Sequence, residues 1–124
     1  LSVQDAIKCK EAGCAGIVVS HHHGRIPFGI APLMVLPKIK ASLAGSGIAI
    51  FVDCGIDTGY DAYKALALGA DAVAVGRGIL KPLLQQGAEG VEEKVKKMNE
   101  ELSELMMYTC VKDVRSFDAS VLYI

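Results

Sequence analysis

Three short apolar runs, each entered near a glycine and left through a polar, glycine-bearing loop, constrain this chain more than any other feature. They are Gly16-Ile17-Val18-Val19-Ser20, Ile48-Ala49-Ile50-Phe51-Val52 and Ala72-Val73-Ala74-Val75. None alternates apolar with polar residues. A strand with one face in water would alternate, so each run predicts a strand buried on both faces, as in a parallel sheet clothed by helices. The segments between them carry helical signals. Ser2 can cap a helix from about Val3 to Ala12 that Gly13 stops. Leu33 to Leu43 reads as a helix in which Pro37 is tolerable only near the first turn. Asp57 or Thr58 can cap a helix from Gly59 to Leu68. Ile79 to Gln86 reads as a short helix. Val91 to Tyr108 reads as the longest, with Val91, Val95, Met98, Leu102, Leu105 and Met106 on one apolar face. Glu92–Lys96 and Glu93–Lys97 are i,i+4 pairs, so this charge run reads as a solvated face. Val114 to Ile124 carries no decisive signal.

The order α-βα-βα-βα belongs to the α/β class. A weak internal repeat supports it, since Ala12-Gly13-Cys14-Ala15-Gly16-Ile17-Val18-Val19-Ser20 echoes Leu68-Gly69-Ala70-Asp71-Ala72-Val73-Ala74-Val75-Gly76. The loops rich in glycine and charge all follow the C-terminal ends of strands, where ligands bind in α/β barrels. A closed TIM (β/α)8 barrel takes eight strands and ~250 residues. The chain has 124 residues and begins with Leu1, not Met. It therefore predicts a partial barrel of about three parallel strands with flanking helices, a single incomplete domain over residues 1–124. Its open apolar edges would invite pairing, either with a missing N-terminal half-barrel or in a homo-oligomer.

Several classes are disfavoured. The net charge is −1 and no basic stripe interleaves with aromatics, which argues against nucleic acid. No apolar run approaches ~18 residues, so no membrane span is expected, and the N-terminus lacks the regions of a signal peptide. The cysteines at 9, 14, 54 and 110 form no CxxC pair. They read as buried and reduced, in keeping with the cytoplasm.

Three loops carry chemistry. The third strand runs out into Gly76-Arg77-Gly78 and a helix, which assembles backbone N–H groups and a guanidinium as a phosphate site requires. After the first strand comes Ser20-His21-His22-His23-Gly24-Arg25. Strand alternation would put His21 and His23 on one side and His22 on the other. Three readings are open: a metal site whose further ligands no spacing selects, a polar loop, or a general base beside an arginine that grips a carboxylate through two parallel hydrogen bonds. After the second strand, Asp53 stands at a strand end before Gly55. It can accept hydrogen bonds from sugar hydroxyls or simply cap a helix.

Together these motifs resemble the C-terminal part of the FMN-dependent 2-hydroxy-acid oxidase/dehydrogenase family, the glycolate oxidase and lactate oxidase group. That family carries Ser-Asn-His-Gly-Gly-Arg where this chain has Ser20 to Arg25. It carries Asp-Gly-Gly-(Ile/Val)-Arg-x-Gly-x-Asp where this chain has Asp53 to Asp61. Its Lys-Ala-Leu-Ala-Leu-Gly-Ala, strand and Gly-Arg are present as Lys64 to Arg77. The resemblance implies a flavoprotein oxidoreductase in which the strands are barrel strands six to eight and FMN is the cofactor. It implies that His22 is the catalytic base, that Arg25 binds the carboxylate of a small 2-hydroxy acid, and that a hydride passes to the flavin. Asp53 would contact the ribityl chain, and Gly55, Gly76 and Arg77 the phosphate, with no metal.

The chain departs from the pattern in four places. Asp57 replaces the family's phosphate-binding arginine. Two unit charges ~4 Å apart are worth ~4 kcal/mol at an effective dielectric of 20, so this replacement weakens the FMN expectation. Cys54 replaces a glycine, His21 and His23 replace Asn and Gly, and the loop after Arg25 is apolar. The alternative is a non-catalytic half-barrel that keeps a vestigial phosphate or nucleotide site and self-associates. In either case the isolated chain is not expected to turn over.

Overall fold

Ser2 starts the first helix, as its position suggests. In the computed structural model, which describes residues 1–117 and 119–123, Ser2 Oγ accepts the Asp5 N–H at 3.1 Å and α1 runs over Val3–Glu11. The elements that follow are β1 (Gly16–Val19), α2 (Pro32–Ser42), β2 (Ala49–Val52), α3 (Gly59–Ala67), β3 (Ala72–Val73) and α4 (Leu80–Tyr108). Short 3-10 turns lie at Arg77–Ile79 and Ala119–Val121. The strands form one parallel sheet in the order β1-β2-β3, with Ile17 beside Ile50 and Val52 beside Val73. This is the expected α/β arrangement, three successive strand–helix units along an open arc.

Four local expectations are corrected. Helix α2 starts at Pro32 and holds Pro37 in its interior, past the first turn. The missing N–H frees the Leu33 carbonyl, and burial of Leu36 and Ile39 against the sheet holds the helix in place. Strand β3 is two residues long, not four. The Ala74 N–H still reaches Val52 O at 2.9 Å, but β2 ends there and offers nothing further to pair with. The two C-terminal helices abut within α4 without a loop, broken only at Gly87, whose φ of 63° and ψ of −143° are open to glycine alone. Finally, the cysteines are not core residues: Cys14 and Cys110 are exposed, Cys9 and Cys54 half-buried, and all four carry free thiols. Of the Val114–Ile124 segment, Asp118 and Ile124 lie outside the described residues.

The core lies between the sheet and the helices, centred on Leu36, Ile50 and Val52. The opposite face of the sheet is bare. Val18 is 59% and Phe51 41% exposed, so the runs expected to be buried on both faces are covered on one. Helix α3 packs closely on α4 because Gly59 has no side chain. A Cβ there would collide with the Met98 carbonyl and stand 2.6 Å from Leu102 N. Tyr63 seals the far end, its hydroxyl donating to Thr109 Oγ1 at 2.6 Å and its ring standing perpendicular to that of Phe117.

The face of α4 that turns inward is not the purely apolar one expected. Met98 is buried but Val95 is exposed, and Lys94 and Glu101 point inward instead. Lys97 turns toward Glu101 at 3.9 Å, and Glu101 accepts the Gly59 N–H at 2.8 Å. Among the described residues no helix is long and apolar enough to cross a membrane.

Candidate functional site

An open cleft of ≈ 1010 Å³ lies at the C-terminal ends of the strands. The loop after β1 brings His22 and Arg25 to it, the loop after β2 brings Asp53 and Gly55, and the turn after β3 brings Gly76 and Arg77. Parallel strands force this convergence, because every strand of a parallel sheet ends on the same side. All six residues singled out from the sequence thus line one opening.

Asp53 is the most telling of them. Its Oδ1 is buried and has no hydrogen-bond partner. A buried acceptor left unpaired costs about 1–3 kcal/mol, so the position suits a ligand that donates. The helix-cap reading of Asp53 fails, since α3 is capped by Thr58. The Thr58 hydroxyl oxygen accepts the Asp61 N–H, and the Asp61 carboxylate accepts the Thr58 N–H at 3.0 Å. Burial pushes the Asp61 carboxyl up, but hydrogen bonds from the Thr58 side chain and the Asp57 and Thr58 N–H groups outweigh it and hold the carboxyl below its usual range.

The histidine loop is a turn, not a continuation of β1, so strand alternation does not apply to it. His22 and His23 have φ of 49° and 54°. The turn is fastened by the Ser20 and His21 side chains and, from the loop after β2, by Cys54. His22 N–H donates to Ser20 Oγ at 3.0 Å, Gly24 N–H to His21 Nδ1 at 2.9 Å, and His23 N–H to Cys54 Sγ at 3.2 Å. Ser20 Oγ and Cys54 Sγ also lie 3.4 Å apart. His21 is therefore a structural acceptor, while His22 and His23 line the cleft. Among the described residues no group of three His, Cys, Asp or Glu converges as a metal site. Cys54 itself adopts φ 66°, a left-handed conformation that favours glycine.

Of the two candidate caps for α3, Asp57 is not the one used; Thr58 is. The freed Asp57 carboxylate reaches across the cleft, with Oδ1 3.0 Å from Lys94 Nζ and so close to Gly78 that a Cβ there would collide with it. Lys94 and Lys81 both line the cleft, and sequence reasoning passed over both. The signal for Lys94 was available. Positions 91, 94, 98, 101 and 105 follow the inward spacing of a helix, which a face defined by hydrophobic residues alone leaves out.

These residues fit FMN in part. The orphaned Asp53 oxygen suits a ribityl hydroxyl, Gly76 has open space where a side chain would sit, and Arg77, Lys81 and Lys94 supply positive charge for a phosphate. The carboxylate of Asp57 opposes it.

The family model for FMN-dependent dehydrogenases matches residues 1–124. The L-lactate oxidase of Lactobacillus jensenii is 41% identical over 122 residues, which is 95% of this chain and 30% of the relative. Among solved structures, a mandelate oxidase variant with the C4a-OH-FMN adduct superposes with a TM-score of 0.89 at 38% identity, covering 94% of this chain and 35% of that one. A flavocytochrome b2 variant with sulfite bound gives 0.91 at 32% identity, covering 97% and 32%. The chain thus spans about a third of the length of the proteins it matches.

Proposed function

The chain belongs to the FMN-dependent dehydrogenase family, and from that premise we propose that it forms barrel strands six to eight of a flavoprotein that oxidises small 2-hydroxy acids. The observation that carries this reading is the convergence of His22, Arg25 and the unpaired Asp53 oxygen on one cleft. Arg25 holds the substrate carboxylate through its planar fork. His22 removes the hydroxyl proton, a task for which imidazole is suited near neutral pH. Asp53 would hold the ribityl chain, and Gly55, Gly76 and Arg77 the phosphate, of an FMN that, when bound, would supply the acceptor for the hydride from C2. The four free thiols fit a reducing compartment, the cytoplasm.

The remaining strands come from outside these residues. Val18 and Phe51 lie on the face that a complete barrel would fill with side chains. We assign that face to the N-terminal barrel segment or, in its absence, to a second copy of the chain. A non-catalytic, self-associating half-barrel is the second reading, and the Asp57 carboxylate at the phosphate end favours it.

The test is a chimera in which this chain replaces the matching stretch of the L. jensenii lactate oxidase. The expected result is a yellow protein whose flavin is bleached anaerobically by L-lactate, with bleaching lost in His22→Gln. A yellow chimera that no 2-hydroxy acid bleaches would sink the catalytic reading and leave the second.

A further inference from the structure

We propose that the phosphate end of the cleft is built on Lys94 of α4, with Asp57 as its resident counter-ion that an incoming phosphate displaces. This rests on the FMN reading above and concerns the same site. Arg77, Lys81 and Lys94 line the same cleft as Asp57, and with Arg25 they outnumber its two carboxylates, Asp53 and Asp57.

The pair is lopsided in a way that fits this role. The Lys94 side chain is 22% exposed and that of Asp57 is 63% exposed. The lysine side chain is mostly covered, while the carboxylate stands largely in solvent beside Gly78. An exposed ion pair of this kind is weak. An ammonium on a flexible stem is a point charge that can turn from one anion to another. A phosphate near Gly76–Gly78 would compete for Lys94 with a partner that holds it loosely.

A merely neutralising lysine would matter only while Asp57 is charged. A phosphate-binding lysine matters also when Asp57 is gone. A double-mutant cycle separates the two. FMN and riboflavin, which differ by the phosphate, are titrated by fluorescence into the chain and its Asp57→Asn, Lys94→Met and double variants, with circular dichroism confirming each fold. The expected result is that Asp57→Asn tightens FMN roughly tenfold and leaves riboflavin unchanged. Adding Lys94→Met to it should then weaken FMN alone by roughly tenfold, the scale of one hydrogen bond to a charged group.

No effect of Lys94→Met on FMN in the Asp57→Asn background would overturn the inference, and so would an equal effect on both flavins. If neither flavin binds any variant, the chain does not hold the cofactor by itself, and inorganic phosphate becomes the probe. Phosphate-induced amide shifts at Gly76–Gly78 in the wild type that vanish in Lys94→Met would then uphold the role of Lys94. Their absence would refute it.

Discussion

Lys94 Nζ lies 3.0 Å from Asp57 Oδ1, so the carboxylate at the phosphate end of the cleft carries its own cation. The sequence alone sets Asp57 against a phosphate with nothing to offset it. The structure reduces that penalty, because a paired carboxylate repels a dianion less than a bare one. Since Asp57 is mostly exposed, the pair itself adds little to folding. Lys94→Met should cost less than ~1 kcal/mol in urea unfolding, and the difference should shrink as salt rises.

Gly59 is where α3 and α4 approach most closely. A methyl group there would collide with the Met98 carbonyl and crowd Leu102 N, and backbone does not yield as a flexible side chain does. Gly59→Ala should destabilise the chain by ~1–3 kcal/mol, the range of an overpacked interior. A thermal melt checks this, and an unchanged midpoint would show that the two helices separate freely.

The cap of α3 makes stability depend on pH. The Asp61 carboxyl titrates lower in the folded chain than when unfolded, so the unfolded state binds the proton more readily. The stabilisation is fully present above the unfolded pKa, near pH 4, and is lost as pH falls through the folded value. Asp61→Asn should flatten this acid limb, and Thr58→Ala should cost about 1 kcal/mol at neutral pH. Urea titrations at stepped pH read both effects.

Cys54 does two opposing things. It holds a left-handed backbone conformation at a cost of ~1 kcal/mol, and its sulfur fastens the histidine turn through the His23 N–H. Cys54→Gly should therefore change folding stability by less than ~1 kcal/mol. The His23 amide should exchange with solvent faster. Unchanged exchange would mean that the sulfur contact does not restrain the loop.

The bare sheet face predicts association. Phe51 and Val18 would be buried by a second copy or by further strands of a barrel. Sedimentation of the isolated chain should show a concentration-dependent dimer that Phe51→Glu abolishes. A wild-type chain that stays monomeric throughout would contradict the second-copy occupant.

Much of this was legible in the sequence for a physical reason. Strand and helix periods, Ser2, Thr58 and the glycine stops act locally, and parallel strands deliver their loops to one side whatever the rest of the chain does. His22, Arg25, Asp53, Gly55, Gly76 and Arg77 meet in the cleft through that topology alone. The missed features are long-range. Lys94 lies 37 residues from Asp57, and no local pattern pairs them. Cys54 fastening His23 depends on the register of β1 against β2. Pro37 inside α2 is tolerated because tertiary burial outweighs local propensity.

The loops after β2 and β3 together form the proposed flavin site. An amide-resolved NMR titration of the chain with FMN tests it most directly. Shifts should concentrate at Asp53–Gly55 and Gly76–Gly78, with the exposed face of α4 around Asn99 and Ser103 silent. Shifts confined to that exposed face, or none at any FMN concentration, would contradict it.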